Sequence, residues 1–171
     1  MDNVYTITAI ISHAAIILGV VIALVQLKAD HERRKKQATI EFYQKIRQEY
    51  NQYLKLIEKY FPNNQVININ DIKENKNMIY AIREYLSHME RISVGINTNI
   101  YSAVVFERMS GVSATRWFFR FREIIYYFRR ISHNPVAYKD FEDLTCKLKV
   151  IRKKRFPSPE YDLAIIKQDL G

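Results

Sequence analysis

The chain has 171 residues, and its 27 Lys and Arg against 18 Asp and Glu give a formal net charge of +9. A single cysteine, Cys146, excludes an internal disulfide and a cysteine-rich metal site and suits a reducing compartment. Because there are only four Gly and four Pro, long stretches are compatible with helix. We predict an all-α fold, in which one N-terminal transmembrane helix continues as a long helix and a cytoplasmic helical bundle follows.

The first predicted element is an apolar segment from Val4 to Leu27, in which no residue carries a formal charge. At about 1.5 Å per residue, such a helix is long enough to cross a hydrocarbon core of roughly 30 Å. A cleaved signal peptide is the alternative, but the basic cluster follows the apolar run instead of preceding it. Every Lys and Arg lies after Leu27, so the positive-inside rule predicts a single-pass protein with its N-terminus outside and its C-terminal domain in the cytoplasm.

The two sides of this apolar helix differ in side-chain size. At about 100° per residue, one narrow stripe holds small or polar residues, and large aliphatic residues cover the opposite side. The stripe consists of Thr8, Ser12, Ala15, Gly19, Ala23 and Gln26. Small residues let helices approach closely, so the predicted partner is another copy of the chain. His13 lies beside the stripe, where it either bonds to a neighbouring helix as a neutral imidazole or lines a water-filled pore within a ring of copies.

The apolar helix is predicted to continue through a juxtamembrane segment, residues 30–60, which contains neither Gly nor Pro. Apolar residues in this segment alternate spacings of three and four, which is typical of a helix that packs along one side. They are Tyr43, Ile46, Tyr50, Tyr53, Ile57 and Tyr60. Phe61 and Pro62 end the helix. The predicted organisation is a transmembrane helix with a short outside tail (1–29), the long helix (30–60), a cytoplasmic helical domain (61–156), and a hinge with a short tail helix (157–171).

The first half of the cytoplasmic domain is predicted to hold two helices. Asn70 or Asp71 caps the first, which runs to about Gly95. The second is shorter and ends at Met109, because Ser110-Gly111 breaks the helical pattern.

The second half is predicted to hold the most apolar helix of the body and a long helix after it. Ser113 opens the apolar helix, and its core face comprises Trp117, Phe121, Ile124, Phe128 and Ile131. His133-Asn134-Pro135 ends it. The last long helix covers residues 136–154, and a short amphipathic tail runs from Tyr161 to Leu170.

Two Arg-to-His spacings are candidates for chemistry. Arg83 and His88 form an R-x4-H arrangement of the kind found in HEPN ribonucleases, in which Arg stabilises phosphorane charge and His moves protons at a ribose 2′-OH. Arg129 and His133 lie four residues apart at a helix end and share a face. The structural alternative assigns both pairs to salt bridges and packing between helices. The protein is therefore expected not to be an enzyme, or else to be a metal-independent ribonuclease.

Basic residues cluster in two places, and either cluster suits lipid headgroups or RNA. They are Arg33, Arg34, Lys35 and Lys36 after the apolar segment, and Arg152, Lys153, Lys154 and Arg155 in the last helix. A solvated helix face is the alternative for the second cluster. Arginine and aromatic residues also alternate around Trp117, which suits RNA stacking but also a packed core. No motif predicts a metal or a cofactor.

The order of these parts resembles a known group of proteins. The chain combines one N-terminal membrane helix, a basic stop, the segment KKQATIEFYQKI, and a helical body that contains YLSHMERISVGI and the divergent R-x4-H. In this arrangement it resembles the small membrane-anchored accessory proteins encoded beside the RNA-guided RNase of type VI-B CRISPR loci. It is also similar to a wider group of bacterial anchored helical proteins.

This resemblance implies a HEPN-like helical domain and a role in antiphage defence at the bacterial inner membrane. The implied protein is an oligomeric effector that forms a pore and depolarises the cell, with a functional link to the RNA-guided RNase. Arg83 and His88 would be the HEPN-like pair. A membrane-tethered RNase and a membrane scaffold for a cytoplasmic partner are the alternatives. Direct RNA binding without cleavage is a further, less favoured expectation.

Overall fold

The computed structural model describes residues 2–62 and 65–157, with side chains described for His13 and from Ala15 onward. These residues form helices and their connections, without a strand, and the all-α prediction is confirmed for them. The helices are α1 (Asp2–Tyr60), α2 (Ile69–Ile72), α3 (Lys76–Asn97), α4 (Ala103–Phe106), α5 (Val112–Ile131) and α6 (Lys139–Arg155), with a π-helical turn at Glu107–Gly111. The tail helix predicted from Tyr161 to Leu170 lies outside the described residues.

The chain divides into two compact units, Met1–Gln37 and Ala38–Gly171. The first unit consists of the N-terminal part of α1, and the second, which we call the helical body, contains the rest of α1 and all other helices. Helix α1 ends at Tyr60, as the Phe61-Pro62 sequence predicts. Within the part of the chain that the structure describes, no helix has a stretch long and apolar enough to cross a membrane.

The core of the helical body is built on the apolar seam of α1 and the aromatic face of α5. Of the seam residues, Tyr43, Ile46, Tyr50 and Ile57 are buried, Tyr53 is half-buried and Tyr60 is exposed. The ring of Tyr43 meets Phe106 edge-on, and Tyr50 meets Tyr85 in the same way. On α5, Trp117, Phe121, Ile124 and Phe128 are buried, whereas Ile131 in the last turn is exposed. The spacing prediction is confirmed except at the two helix ends.

The connection between α1 and α3 differs from the prediction, because the short helix α2 precedes the long one. Asn68 caps α2 and forms a capping box with Asp71, while the Asn75 side chain caps α3 by accepting from the Met78 N–H. The predicted caps, Asn70 and Asp71, therefore lie inside α2. Ile72, at the end of α2, is buried, so this single turn is held by the core.

The predicted break at Ser110-Gly111 and the predicted helix start at Ser113 are both wrong. Gly111 has helical dihedrals (φ −57°, ψ −41°), and the π-helical turn carries the chain from α4 into α5 without interruption. A Cβ at residue 111 would lie 3.0 Å from Cγ of Glu107 and 3.2 Å from Nη2 of Arg152. Glycine therefore occurs here because neighbouring side chains fill the space, and not because the helix ends.

Helix α5 ends at Ile131, before His133-Asn134-Pro135, as predicted. The turn to α6 uses left-handed conformations at His133 (φ 50°) and Tyr138 (φ 57°), which moves the start of α6 from residue 136 to Lys139. Arg129 fixes this turn: its Nε donates to the Ala137 carbonyl at 2.8 Å and its Nη2 lies 3.0 Å from Oε2 of Glu142.

Candidate functional site

A buried polar cluster lies where α3 packs against the C-terminal part of α1. His88 on α3 is 5% exposed, and its Nδ1 lies 3.6 Å from Oε2 of Glu49 on α1. This distance is long for a hydrogen bond, and Nδ1 has no hydrogen-bond partner among the described residues. The neighbouring Tyr50 hydroxyl donates to the Tyr43 hydroxyl at 3.1 Å. Two aromatic hydroxyls and one imidazole thus share a largely apolar environment.

Burial controls the protonation of this cluster. Desolvation lowers the pKa of His88, Arg91 lowers it further, and Glu49 and Glu84 oppose both effects without reversing them. Desolvation also raises the pKa of Tyr50, with a further contribution from the Tyr43 hydroxyl. His88 is therefore a neutral imidazole at neutral pH. It has the chemistry of a general base, but its low exposure keeps a substrate away from it.

The structure does not bring Arg83 and His88 together. Both lie inside the single helix α3, where five residues turn the chain by about 500° and leave the side chains roughly 140° apart. The guanidinium of Arg83 lies 4.6 Å from the ring centroid of Phe128 on α5, whereas His88 faces Glu49 and Tyr50 on α1. The two residues therefore have separate surroundings, and the arrangement is not a preformed acid–base pair.

Two arginines of α5, Arg129 of the second Arg-to-His pair and Arg120, have structural roles. Arg129 holds the α5–α6 turn, and His133 is exposed in that turn. Arg120 is 3% exposed, stacks 4.2 Å from the Trp117 ring and donates to the carbonyl groups of Gln65 and Phe61, and burial lowers its pKa. Because Trp117 itself is buried, it is not available for base stacking. Arg120 is therefore a packing residue that ties Phe61 and Gln65 to α5.

The burial of Arg152 contradicts the prediction that this residue belongs to a lipid- or RNA-binding cluster in α6. Its side chain is 2% exposed, and its Nε lies 3.1 Å from Oε1 of Glu107, which also has Arg155 within 3.4 Å. An arginine in this position cannot reach a headgroup or a phosphate. The sequence pattern that indicates burial is its place four residues after Leu148, on the face of Phe141 and Leu144. Lys153 and Lys154 are exposed, as are Arg33, Arg34 and Lys36, and Lys35 is half-buried.

The predicted helix-packing residues of the first unit lie on an exposed helix. His13, Ala15, Gly19, Ala23 and Gln26 are all exposed, and a Cβ added at Gly19 would meet no atom within 4 Å. The side chains of Thr8 and Ser12 lie outside the described residues. Large apolar side chains on the same helix are equally uncovered, with exposures from 48% at Ile22 to 68% at Leu27. This exposed segment is the most unusual surface among the described residues.

Comparison with known proteins identifies one family, whose model matches residues 13–148. The chain belongs to the DUF4760 family. This family is described as a domain of unknown function, and its match begins within the apolar segment and ends in α6. No curated protein and no solved structure matches the chain.

The described part of this DUF4760 domain offers no ready metal site. It contains no group of three or more His, Cys, Asp and Glu side chains placed to hold an ion, and Cys146 is exposed. The buried charged pair of its interior, Glu107 with Arg152, joins the π-helical turn to α6 and stabilises the packing between them. Glu49, which is exposed, lies near the neutral His88 without a hydrogen bond to its Nδ1.

Acidification is expected to destabilise the DUF4760 domain through His88. The unfolded chain binds a proton on His88 near pH 6.5, and the folded chain does so only at lower pH. The stability that neutral His88 contributes is therefore complete above about pH 6.5 and is lost as the pH falls through that value towards the folded pKa. Thermal unfolding of the full-length protein in mild detergent, at about pH 7.5 and about pH 5.5, measures this loss.

Two substitutions distinguish the contribution of His88 to this pH dependence from that of the carboxylates, whose protonation in acid also lowers the stability of the fold. His88→Gln should reduce the difference in Tm between the two pH values, because glutamine does not titrate. His133→Gln changes an exposed imidazole and should leave that difference unchanged. Equal pH dependence in wild type and His88→Gln would show that His88 does not contribute.

Proposed function

We propose that this protein is a membrane-anchored, oligomeric effector whose apolar segment, Val4–Leu27, spans the bacterial inner membrane. The observation that supports this most strongly is the row of uncovered apolar side chains from Ile16 to Leu27, of which nine are 48–68% exposed. Burying one such side chain gains roughly 1.5–3 kcal/mol relative to leaving it in water. A helix of this composition is costly in water and favourable in a bilayer.

The charges around the segment support an orientation. All 27 Lys and Arg follow Leu27, beginning with Lys28 and the cluster Arg33–Lys36. Basic residues next to a span remain on the cytoplasmic side and interact with anionic headgroups. The proposal therefore places the N-terminus outside and the helical body in the cytoplasm.

Self-association is the second part of the proposal. The side of the helix that carries Ala15, Gly19 and Ala23 has no bulky residue, so a second copy can approach closely there. His13, next to that side, would face the neighbouring helix or a water-filled lumen. A ring of such helices would leak ions, and the resemblance to accessory proteins of type VI-B CRISPR loci suggests that this leak strengthens RNA-guided antiphage defence.

The two alternatives have different support. A tethered HEPN-type RNase needs Arg83 and His88 to act on one phosphate, and their separate surroundings give it no geometric support. A scaffold that holds a cytoplasmic partner at the membrane needs only the anchor and the helical body. Pore formation and scaffolding therefore share the anchor and differ in whether the membrane conducts ions.

Membrane insertion is tested by placing charge in the anchor. Ile17→Arg combined with Val21→Arg is expected to remove most of the protein from carbonate-washed membranes of the expressing cells, because each Arg near the centre of a span costs about 2.5–3.5 kcal/mol. The matched control, Val104→Arg with Val150→Arg, adds the same charge at two exposed valines of the helical body and should stay in the membrane fraction. Extraction of the wild-type chain by carbonate would refute the anchor.

Oligomerisation and ion leakage are tested separately. Wild type in nanodiscs should have a mass of several copies, and its expression should collapse a membrane-potential dye signal. Gly19→Ile and His13→Leu should reduce both effects, whereas Leu18→Ile, on the bulky side, should not. A monomer that inserts without depolarising the cell would refute the pore and leave the scaffold function.

A further inference from the structure

A hollow of about 270 Å³ lies at the π-helical turn of the helical body, and residues 107–113 and Arg116 line it. No residue of this lining belongs to the apolar segment or to the two Arg-to-His pairs. The chain is helical throughout the lining, so its backbone groups bond within the helix. The side chains therefore decide what the hollow can bind.

The π-helical turn brings two arginines of this lining towards the same side of the chain. Arg108 and Arg116 are eight residues apart, which in a regular helix leaves their side chains roughly 80° apart. A π-helical turn contains more residues per turn, so the turn at Glu107–Gly111 reduces this angle. Arg108 is exposed and Arg116 is half-buried. The donors of both guanidinium groups can therefore bind one anion together.

The one carboxylate of the lining does not neutralise these two arginines. Glu107 is already paired with two arginines from outside the lining, because its Oε1 lies 3.1 Å from Nε of Arg152 and its Oε2 lies 3.4 Å from Nη1 of Arg155. The charges of Arg108 and Arg116 are added to this group, in which guanidiniums already outnumber carboxylates. The lining and its ion-pair partners thus have an excess of positive charge.

Part of this positive charge lies directly behind the hollow. Nη2 of Arg152 is buried without a hydrogen-bond partner in the described residues, and it lies 3.2 Å from the position that a Cβ of Gly111 would take. Gly111 lines the hollow, whereas the buried Arg152 does not. Arg152 therefore does not touch a ligand, but its charge attracts an anion through the protein interior, where screening is weak.

Charged groups next to the lining do not reverse this balance. Glu58 on α1 acts on the buried Arg120, as does Arg116, so the charge of Glu58 is matched by that of Arg120. The Tyr50 side chain interacts with Ser110 of the lining, and the charged group that acts on Tyr50 is the basic Arg47. The surroundings of the hollow therefore favour an anionic ligand over a cation.

The uncharged side chains of the lining suit a small organic phosphate. Ser113 is exposed, and its hydroxyl can donate to a phosphate oxygen. Met109 and Val112 are partly exposed and can contact the carbon atoms of a ligand. The lining contains no aromatic ring, and a nucleobase would therefore find no stacking partner in it.

We propose that the hollow at the π-helical turn binds a small phosphate monoester, whose phosphate group is held by Arg108 and Arg116 with a further hydrogen bond from Ser113. The site involves no covalent step. It is independent of the membrane proposal, since every residue of the lining belongs to the helical body. Both a soluble metabolite and a lipid headgroup can supply such a phosphate.

Calorimetric titration of the full-length protein in detergent tests the proposal. The probes are glycerol 3-phosphate, inorganic phosphate and glycerol, of which the two phosphates should bind saturably and glycerol should not. Arg108→Gln and Arg116→Gln should each weaken binding about tenfold, because each removes charge-assisted hydrogen bonds to the phosphate. The matched control is Arg122→Gln, at an exposed arginine of α5 outside the lining, and it should leave the affinity unchanged.

A second pair of variants changes the charge of the hollow without removing an arginine. Val112 lies in the sequence between the two arginines and is 40% exposed. Val112→Glu places a carboxylate in the lining and should abolish phosphate binding, whereas Val112→Gln has the same length without the charge and should keep the affinity within about twofold. Unchanged circular dichroism spectra would show that both variants are folded.

Nanodiscs distinguish the two sources of the phosphate. If glycerol 3-phosphate binds equally in discs of phosphatidylcholine and in discs that also contain phosphatidic acid, the ligand is soluble. If phosphatidic acid prevents binding and phosphatidylglycerol, an anionic phosphodiester, does not, the lipid monoester occupies the site. The proposal would be overturned by the absence of binding at millimolar glycerol 3-phosphate, by an affinity that the Arg108 and Arg116 variants leave unchanged, or by binding of single-stranded RNA without either phosphate.

Discussion

Replacing Glu107 with alanine is expected to lower the free energy of unfolding of the helical body by about 3–5 kcal/mol. The side chains of Glu107 and Arg152 are only 4% and 2% exposed, and they join the π-helical turn to α6 at 3.1 Å. One nitrogen of Arg152, Nη2, is already buried without a partner in the described residues. Without the carboxylate, the Arg152 guanidinium would be a buried charge with no counter-charge, since Arg155 is also cationic.

The control for this substitution is Glu123→Ala, which makes the same change at an exposed residue inside α5. It should alter the free energy of unfolding by no more than about 0.5 kcal/mol. Chemical denaturation of the full-length protein in detergent, followed by circular dichroism, measures both variants. Equal effects of Glu107→Ala and Glu123→Ala would show that the buried pair does not hold α6 in place.

A double variant distinguishes the effect of losing the ion pair from the effect of losing side-chain volume. Glu107→Met with Arg152→Met removes both charges and keeps most of the side-chain volume, so it should recover most of the stability that Glu107→Ala loses. Arg152→Met alone leaves Glu107 with the half-exposed Arg155, and it should be less harmful than Glu107→Ala. If the double variant recovers this stability, the destabilisation by Glu107→Ala results from the uncompensated charge of Arg152.

The main helices of this chain are predictable from the sequence because their determinants are local. The absence of Gly and Pro from residue 30 to 60, followed by Phe61-Pro62, places the end of α1 at Tyr60. The apolar spacing in α5 places Trp117 and Phe121 in the core. Caps are less predictable, because residues 68–75 contain several Asn and Asp and tertiary packing of Ile72 decides which of them act.

The candidate sites are less predictable than the helices, since they depend on contacts between distant residues. Arg152 belongs to a basic run, and although its place after Leu148 puts it on the buried face of α6, its counter-charge Glu107 lies 45 residues earlier and cannot be identified from the local sequence. The R-x4-H spacing brings Arg83 and His88 close in sequence, and helical geometry separates them. Tyr60 follows the same seam spacing as its buried neighbours, but it lies in the last turn of α1, beyond the core, and remains exposed.

Two glycines lie inside helical structure. Gly95 lies two residues before the end of α3 at Asn97, close to the predicted end, whereas Gly111, which predicts a helix end, lies in the π-helical turn that continues into α5. At both positions the space of a side chain is occupied by another residue. At Gly95 this residue is Tyr101, whose ring would overlap a Cβ and whose N–H donates to the Gly95 carbonyl at 2.9 Å.

Gly95→Ala is therefore expected to destabilise the helical body by about 1–3 kcal/mol, the usual cost of overpacking a filled site. The Tyr101 ring cannot move freely, because it stacks on Phe42 of α1 with 4.9 Å between centroids. In a chain that already carries Tyr101→Ala, the same Gly95→Ala change should become neutral or stabilise by up to about 1 kcal/mol, since alanine favours helix over glycine. Denaturation of the four chains of this double-mutant cycle gives the coupling. If Gly95→Ala destabilises the wild-type chain and the Tyr101→Ala chain equally, α3 needs the backbone flexibility of glycine at residue 95. If the substitution destabilises the wild type but stabilises the Tyr101→Ala chain, glycine is needed only because the Tyr101 ring fills the space of a side chain.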